Sequence, residues 1–160
     1  LLDKAVRQLK QLPPRETVDV AVDLPTPAYF PRQYVPDMRT KVDLYRRLAR
    51  IGDEQTLEDL AGELVDRFGS LPPQVVDLLE LARLRIWAHQ LGIGAIHLEE
   101  KYVVLSASSR GPLEALRAMS DGRLRVADQR SAYLPLTAPG DPAAVLAEVK
   151  SLLQGAAVAT

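Results

Sequence analysis

The chain has 160 residues, 47% of them hydrophobic, which is enough for one domain with a sizeable core. Its 20 basic and 21 acidic side chains give a formal net charge of −1, so no global field attracts nucleic acid or an anionic membrane. Any charge-driven binding must therefore be local. The absence of cysteine excludes a disulfide framework and thiolate catalysis.

The sequence predicts neither a membrane span nor an export signal. No apolar run approaches the roughly 20 residues that span a bilayer, and no basic-then-apolar leader opens the chain. We therefore expect a soluble, cytoplasmic protein. The chain begins without Met and inside an amphipathic pattern that Pro13 and Pro14 stop, so residues 1–16 are interpreted as a linker helix cut from a longer polypeptide.

The next segment predicts a strand, an extended stretch and a helix. Residues 17–24 alternate apolar and polar side chains, which is the period of a half-buried strand. Four prolines then keep residues 24–37 extended. From residue 37 to 51 the apolar period becomes 3.6, which predicts a helix ended by Gly52. Its expected inward stripe consists of Val42, Tyr45, Leu48 and Ala49.

The rest of the chain is organised around a second helix, predicted over residues 56–69. Thr56 is its expected N-cap, with Asp59 as the partner in a capping box, and Gly69 is its expected stop. At about 100° per residue the apolar side chains fall in one arc. They are Leu57, Leu60, Leu64 and Phe68. The charged side chains on the opposite arc are Asp59, Glu63, Asp66 and Arg67.

That charged arc has two interpretations. Acidic and basic residues three and four apart commonly form intrahelical pairs worth about 0.2–0.5 kcal/mol each, which is the behaviour of a solvated helix face. The same arrangement also suits a surface that docks on another protein module. The helical geometry alone favours the solvated face.

A third helix is predicted to pack on two sides. Pro72 and Pro73 mark its start and Gly92 its end. Its apolar residues surround more than one side of the helix, so we expect it to contact both the other helices and a sheet.

Short alternating runs after residue 94 predict a small sheet. Residues 95–107 form the expected hairpin, and residues 123–137 a second pair of strands. Pro135 lies within the last strand and cannot donate to a ladder, so we assign that strand to an edge.

Two further helices flank the second strand pair. The first is predicted over residues 111–120, with Leu113, Leu116 and Met119 inward, and the second over residues 142–154. Residues 156–160 are expected to be a frayed tail. The fold class is therefore α+β: a helical layer over about residues 37–91, followed by a small, mainly antiparallel sheet with flanking helices.

No pattern in the chain indicates catalysis or a metal site. His89 and His97 are the only histidines, and neither has a second ligand at metal spacing. Gly92 and Gly94 begin a glycine pair, but His97 occupies the third glycine position of a dinucleotide fingerprint, and no P-loop is present. We therefore expect no catalytic residue, no metal ion and no cofactor in this chain.

One local cluster of cations lies on the first predicted helix. Arg46, Arg47 and Arg50 share a face that could contact phosphates, although Asp43 partly neutralises it. No aromatic platform or glycine-rich loop accompanies these charges, which favours a salt-bridged surface. An accessory nucleic-acid-binding domain is kept as the alternative function.

Several short segments, in their order and spacing, resemble one protein family. They are YVPD at residues 34–37, LYRRLA at 44–49, ELVDRFG at 63–69 with LPP at 71–73, and LARLR at 81–85 with LGI at 91–93. Together they resemble the carboxy-terminal domain of bacterial transcription-repair coupling factor, most strongly over residues 18–94.

The resemblance implies a regulatory role. Members of that family are ATP-driven DNA translocases that dislodge stalled RNA polymerase and recruit excision repair, and ATP and Mg belong to their motor. Their carboxy-terminal domain folds back on an amino-terminal module, hides the surface that binds UvrA and restrains the motor. Glu63, Asp66 and Arg67 match the inhibitory contact of the family, and Asp59 shares their face. The implied partners are that module and, through the parent protein, UvrA, RNA polymerase and DNA.

The resemblance also fixes the expected domain organisation. Residues 1–16 would link this domain to the preceding motor region, and residues 17–155 would form a single, monomeric regulatory domain without enzymatic activity. It changes the interpretation of the charged arc, which we now expect to be an intramolecular docking surface.

Overall fold

The computed structural model describes residues 19–159, with side chains to residue 157. The predicted linker helix over residues 1–16 lies outside the described residues. Five helices and five strands follow one another in the described part of the chain. In order they are β1 Ala21–Asp23, α1 Met38–Arg50, α2 Glu54–Phe68, α3 Pro73–Gln90, β2 Ile93–Glu99, β3 Tyr102–Ala107, α4 Arg110–Met119, β4 Arg125–Val126, β5 Ser131–Pro135 and α5 Pro142–Ala159. The predicted α+β class is confirmed.

The five strands form one mainly antiparallel sheet in the order β1-β2-β3-β5-β4. Strands β1 and β2 pair in parallel and the other neighbouring strands pair antiparallel, and the predicted β2–β3 hairpin is confirmed. The assignment of β5 to an edge is wrong, because β5 lies between β3 and β4. Strand β4 pairs with Ala132 and Tyr133 of β5 and does not extend to Pro135. Pro135 therefore does not need an N–H group to donate to β4.

Two hydrophobic clusters meet at α3. On one side, its Val75, Leu79, Ala82 and Ile86 pack with the buried side chains of α1 and α2. On the other side, its Leu84, Trp87 and Ala88 pack with the sheet, α4 and α5. Each fully buried leucine of these clusters contributes about 1.5–3 kcal/mol. The expectation that this helix packs on two sides is confirmed, and α3 is the element that holds the helical layer on the sheet.

The inward face of α1 differs from the predicted stripe. Leu48 is 5% exposed, as predicted, and Leu44, which lies outside the predicted stripe, is 1% exposed. Val42 and Tyr45 are 39% and 37% exposed, and Ala49 is also exposed. The buried face is thus rotated by about 100° around the helix axis from the predicted one. Tyr45 still contacts the domain at its rim: its hydroxyl accepts a 2.9 Å hydrogen bond from the Phe30 N–H, and the two rings pack at 4.9 Å.

Helix α2 begins earlier than predicted but ends at the predicted glycine. The N-cap is Asp53, whose carboxylate accepts a 2.8 Å hydrogen bond from the Thr56 N–H, so the assignment of Thr56 as N-cap is wrong. Asp53 and Thr56 are three residues apart, and both residue types can cap a helix. The helix begins after Asp53, about one turn earlier than predicted. Gly69 has φ +92° and donates its N–H to the Val65 carbonyl, which confirms it as the stop.

Two expectations for the last helices are corrected. Leu113 and Leu116 of α4 are buried as predicted, but Met119 is 45% exposed. Helix α5 continues to Ala159 and Ala156 is 1% exposed, so residues 156–159 are not a frayed tail. Ala156 follows Leu153 by three residues and so lies on the same apolar face of α5. Both residues pack in the hydrophobic cluster that includes the sheet. Among the helices of residues 19–159, none combines the length and the apolar character needed to cross a bilayer.

Candidate docking surface

An ion triad joins the exposed sides of α1 and α2. The Arg47 guanidinium donates from Nη1 to Glu63 Oε2 at 2.6 Å and from Nη2 to Oε1 at 2.9 Å. Arg67 Nη1 donates to the same Oε2 at 3.0 Å, four residues along α2. The hydrogen bond from Arg47 holds the pKa of Glu63 at about 2, below its ordinary value of 4.5, although partial burial acts in the opposite direction. Glu63 is therefore ionised and fixed in position at neutral pH.

Two more carboxylates stand on the same helix face. Asp59 accepts a 3.0 Å hydrogen bond from Gln55 Nε2 one turn earlier. Asp66 is exposed and makes no side-chain hydrogen bond or ion pair with any residue of the range 19–159. We call Asp59, Glu63, Asp66 and Arg67 the charged face of α2. None of its members is turned toward the leucines or covered by the sheet.

The opposite side of α2 anchors this face to the core. Leu57, Leu60 and Leu64 are at most 2% exposed. The Tyr34 hydroxyl lies 3.1 Å from the Leu64 carbonyl and 2.8 Å from the Gly69 carbonyl, so it binds the last turn of the helix and its stop. A rigid helix end of this kind presents its charges in one arrangement, which reduces the entropy lost when a partner binds.

Aromatic contacts hold the final charged residue. The Phe68 ring packs 5.5 Å from that of Tyr34, and the Arg67 guanidinium lies 4.9 Å from the centre of the Phe68 ring. Burial raises the pKa of Tyr34, which keeps its hydroxyl protonated and able to donate. Arg67 is thus positioned by both Glu63 and Phe68.

The structure brings the two predicted sites together. Arg47, predicted as a phosphate contact, is the partner of Glu63, predicted as a docking residue. Arg46 and Arg50 remain exposed and have no carboxylate partner in the described part of the chain. The sequence indicated Tyr34 as an aromatic anchor, but it predicted neither the contact of the Tyr34 hydroxyl with the end of α2 nor the pairing of Arg47 with Glu63. Both contacts cross between elements, so helical spacing carries no signal for them.

The histidines take no part in this surface. His97 Nε2 lies 3.4 Å from Glu99 Oε2 on the sheet, and His89 occupies the last turn of α3. Within residues 19–159, no group of three or more His, Asp or Glu side chains could hold a metal ion.

The α+β fold and the segments on which the charged face stands place the chain in a known class of domains. The family model for the TRCF domain matches residues 24–117, more than half of the chain. The chain therefore belongs to the TRCF domain family.

Three curated relatives are transcription-repair-coupling factors. That of Escherichia coli (strain K12) is 36% identical over 115 residues, which cover 69% of this chain and 10% of that protein. The protein of Myxococcus xanthus is 31% identical over 114 residues, and that of Staphylococcus haemolyticus (strain JCSC1435) is 30% identical over 112 residues. These matches cover 71% and 69% of this chain and 10% of each relative. The chain thus spans about a tenth of the length of these relatives.

A solved structure shows the same fold. The crystal structure of the C-terminal domain of a transcription-repair coupling factor matches with a TM-score of 0.74 at 20% identity, over 89% of this chain and 94% of that one. This chain therefore has the fold of that C-terminal domain.

Proposed function

We propose that this chain is an autoinhibitory interaction domain of a transcription-coupled repair translocase. The charged face of α2 docks on the amino-terminal module of the same polypeptide, masks the binding of UvrA and restrains the ATP-driven motor. The domain itself is monomeric and carries no catalytic residue, and ATP and Mg act in the motor of the parent, in the cytoplasm. The observation that carries the proposal is Asp66, which is exposed and has no side-chain partner among residues 19–159, beside the fixed triad of Arg47, Glu63 and Arg67.

The chemistry of the face suits a reversible lock. Asp59 and Asp66 can accept hydrogen bonds from cationic side chains of the partner module, while Arg67 can donate to a carboxylate there. Charge-assisted hydrogen bonds of this kind give specificity and register, and most of the polar groups involved are already exposed to water. The contact can therefore open without exposing a hydrophobic core.

The covalent connection makes a weak contact sufficient. Two modules on one chain see each other at an effective concentration that reaches about millimolar for short linkers. An interface with only modest affinity in solution then keeps the resting protein closed, and a competing partner can still open it.

The alternative function, nucleic-acid binding through α1, loses one of its three arginines to Glu63. Only Arg46 and Arg50 then remain for phosphates, and each phosphate contact adds about one unit to the salt dependence of binding. Titration of DNA into the chain at low salt separates the two functions. Submicromolar binding that disappears on replacing Arg46 and Arg50 would favour the alternative.

Addition in trans tests the proposal. The parent protein lacking this domain should show raised basal ATPase activity and raised UvrA binding. Added chain should reverse both effects only at concentrations far above those of the parent, and Asp66→Lys should abolish the reversal. A matched control is Glu100→Lys, in the exposed turn between β2 and β3. Equal effects of the two variants would contradict docking through the charged face of α2.

A further inference from the structure

A narrow apolar stripe on α1 is left uncovered by the domain. Met38 is 66% exposed, Val42 39% and Tyr45 37%, and Ala49 is also exposed. These four residues are separated by four, three and four positions, which is the spacing of a seam between two packed helices. We call them the α1 seam.

Three of the four residues that border the α1 seam are cationic, and the fourth is the buried Leu48. When Val42 and Ala49 take the a positions of a heptad and Met38 and Tyr45 the d positions, Arg39 and Arg46 occupy e and Lys41 occupies g. None of these three cations forms a salt bridge with a carboxylate of residues 19–159. In helix pairs, the e and g charges select the partner, so this border selects acidic residues.

We propose that the α1 seam binds an amphipathic helix of a partner protein, with apolar residues at its a and d positions and acidic residues at its e and g positions. This surface is separate from the charged face of α2. Arg47, which contacts α2 through Glu63, occupies the f position of the same heptad, on the side of α1 opposite the seam. Both surfaces are therefore accessible at the same time, and the inference goes beyond the proposed docking function.

The aromatic side chain of the α1 seam is fixed in position before a partner binds. The Tyr45 ring packs against Phe30, and its hydroxyl accepts the Phe30 N–H, so this aromatic side chain is fixed before binding. Aromatic residues with one face buried and one exposed are common anchors in protein interfaces.

Charge and width disfavour other occupants. A second copy of α1 would place Arg39, Lys41 and Arg46 against the same cations. Residues 1–12 read LLDKAVRQLKQL and carry three basic residues against one acidic, so this segment is also a poor match. A helix that lies in a membrane surface needs an apolar arc of about 100° or more, and the α1 seam spans about 60°.

The experiment uses two synthetic helical peptides, each about three heptads long, with Leu at a and d. One has Glu at e and g, and the other has Lys. The 160-residue chain should bind the Glu peptide at least about tenfold more tightly than the Lys peptide. Val42→Glu should weaken binding of the Glu peptide at least about tenfold, whereas Val76→Glu, at an equally exposed valine of α3, should leave it unchanged. Circular dichroism confirms that both variants are folded.

A charge exchange gives the sharpest discrimination. The double variant Arg39→Glu, Arg46→Glu should prefer the Lys peptide. Equal binding of both peptides, or binding of neither, would overturn the proposal, as would binding of phosphatidylserine vesicles that depends on Val42 in place of peptide binding. The full-length parent should bind the Glu peptide as tightly as the chain does. Loss of binding in the parent would show that a helix of the same polypeptide already covers the α1 seam, which contradicts a separate partner.

Discussion

Arg47 of α1 and Glu63 of α2, which are 16 residues apart in sequence, form a bidentate ion pair with N···O distances of 2.6 and 2.9 Å. Their side chains are 48% and 36% exposed, so water screens the ion pair and it stabilises the fold by about 0–1 kcal/mol. The geometry of the pair matters more than its energy. It fixes the carboxylate of Glu63 at the centre of the charged face of α2 and sets the position of that face against α1.

Replacing Arg47 should therefore have a small but measurable cost. Arg47→Gln removes both hydrogen bonds to Glu63 and should lower the free energy of unfolding by up to about 1 kcal/mol. Arg46→Gln, one residue away and without a carboxylate partner among residues 19–159, should change it by less than about 0.5 kcal/mol. Urea unfolding at pH 7 measures both values. Equal costs would show that the Arg47–Glu63 pair contributes nothing.

Acid should remove the contribution of Glu63. Its folded-state pKa of about 2 lies below the ordinary 4.5, so its stabilisation is complete above pH about 4.5 and is lost as the pH falls toward 2. The stability difference between wild type and Glu63→Gln should be present at pH 7 and vanish near pH 2. In the Arg47→Gln background this pH-dependent difference should shrink, because Arg47 is its main cause. A difference that stays constant from pH 7 to pH 2 would be inconsistent with the ion pair.

Gly62 within α2 and Gly69 just after its end should respond in opposite directions to replacement by alanine. Gly69 has φ +92°, which an alanine adopts only with strain, so Gly69→Ala should destabilise the domain by about 1 kcal/mol. Gly62 lies within the helix with open space around its Cα, so Gly62→Ala should stabilise it by about 0.4–1 kcal/mol. Thermal unfolding of the two variants measures both changes in stability. Stabilisation by Gly69→Ala would exclude Gly69 as the helix stop.

The last turns of α5 should contribute to the stability of the fold. Ala156→Asp places an unpaired carboxylate at a position that is 1% exposed and should cost more than about 2 kcal/mol. Ala147→Asp, at an exposed position of the same helix, should cost less than about 0.5 kcal/mol. Matching unfolding curves for the two variants would mean that the chain end does not pack on the sheet cluster.

Local patterns predicted most elements because each depends on residues that are close in sequence. The period of the apolar residues indicated α2, α3 and the β2–β3 hairpin, and the left-handed conformation of Gly69 follows from the need to stop α2. The charged face of α2 was predictable for the same reason, since 100° per residue places its members together.

The features that the sequence did not predict correctly depend on tertiary packing. Leu48 borders both the predicted and the observed inward face of α1, and packing with α2 and α3 buries Leu44 beside it in place of Val42 and Tyr45. The pairing of Arg47 with Glu63 depends on the packing of α1 beside α2, which a single sequence does not encode locally.

The proposed function requires that the charged face of α2 hold the parent protein closed. The most direct test is the affinity of the full-length parent for UvrA, compared between wild type, the double variant Asp66→Lys, Arg67→Glu, and the control Glu100→Lys. We expect the double variant to bind UvrA at least about fivefold more tightly than wild type and the control to bind it as wild type does, because the α2 contact no longer competes with UvrA. Wild-type affinity in the double variant, with the fold intact, would contradict it.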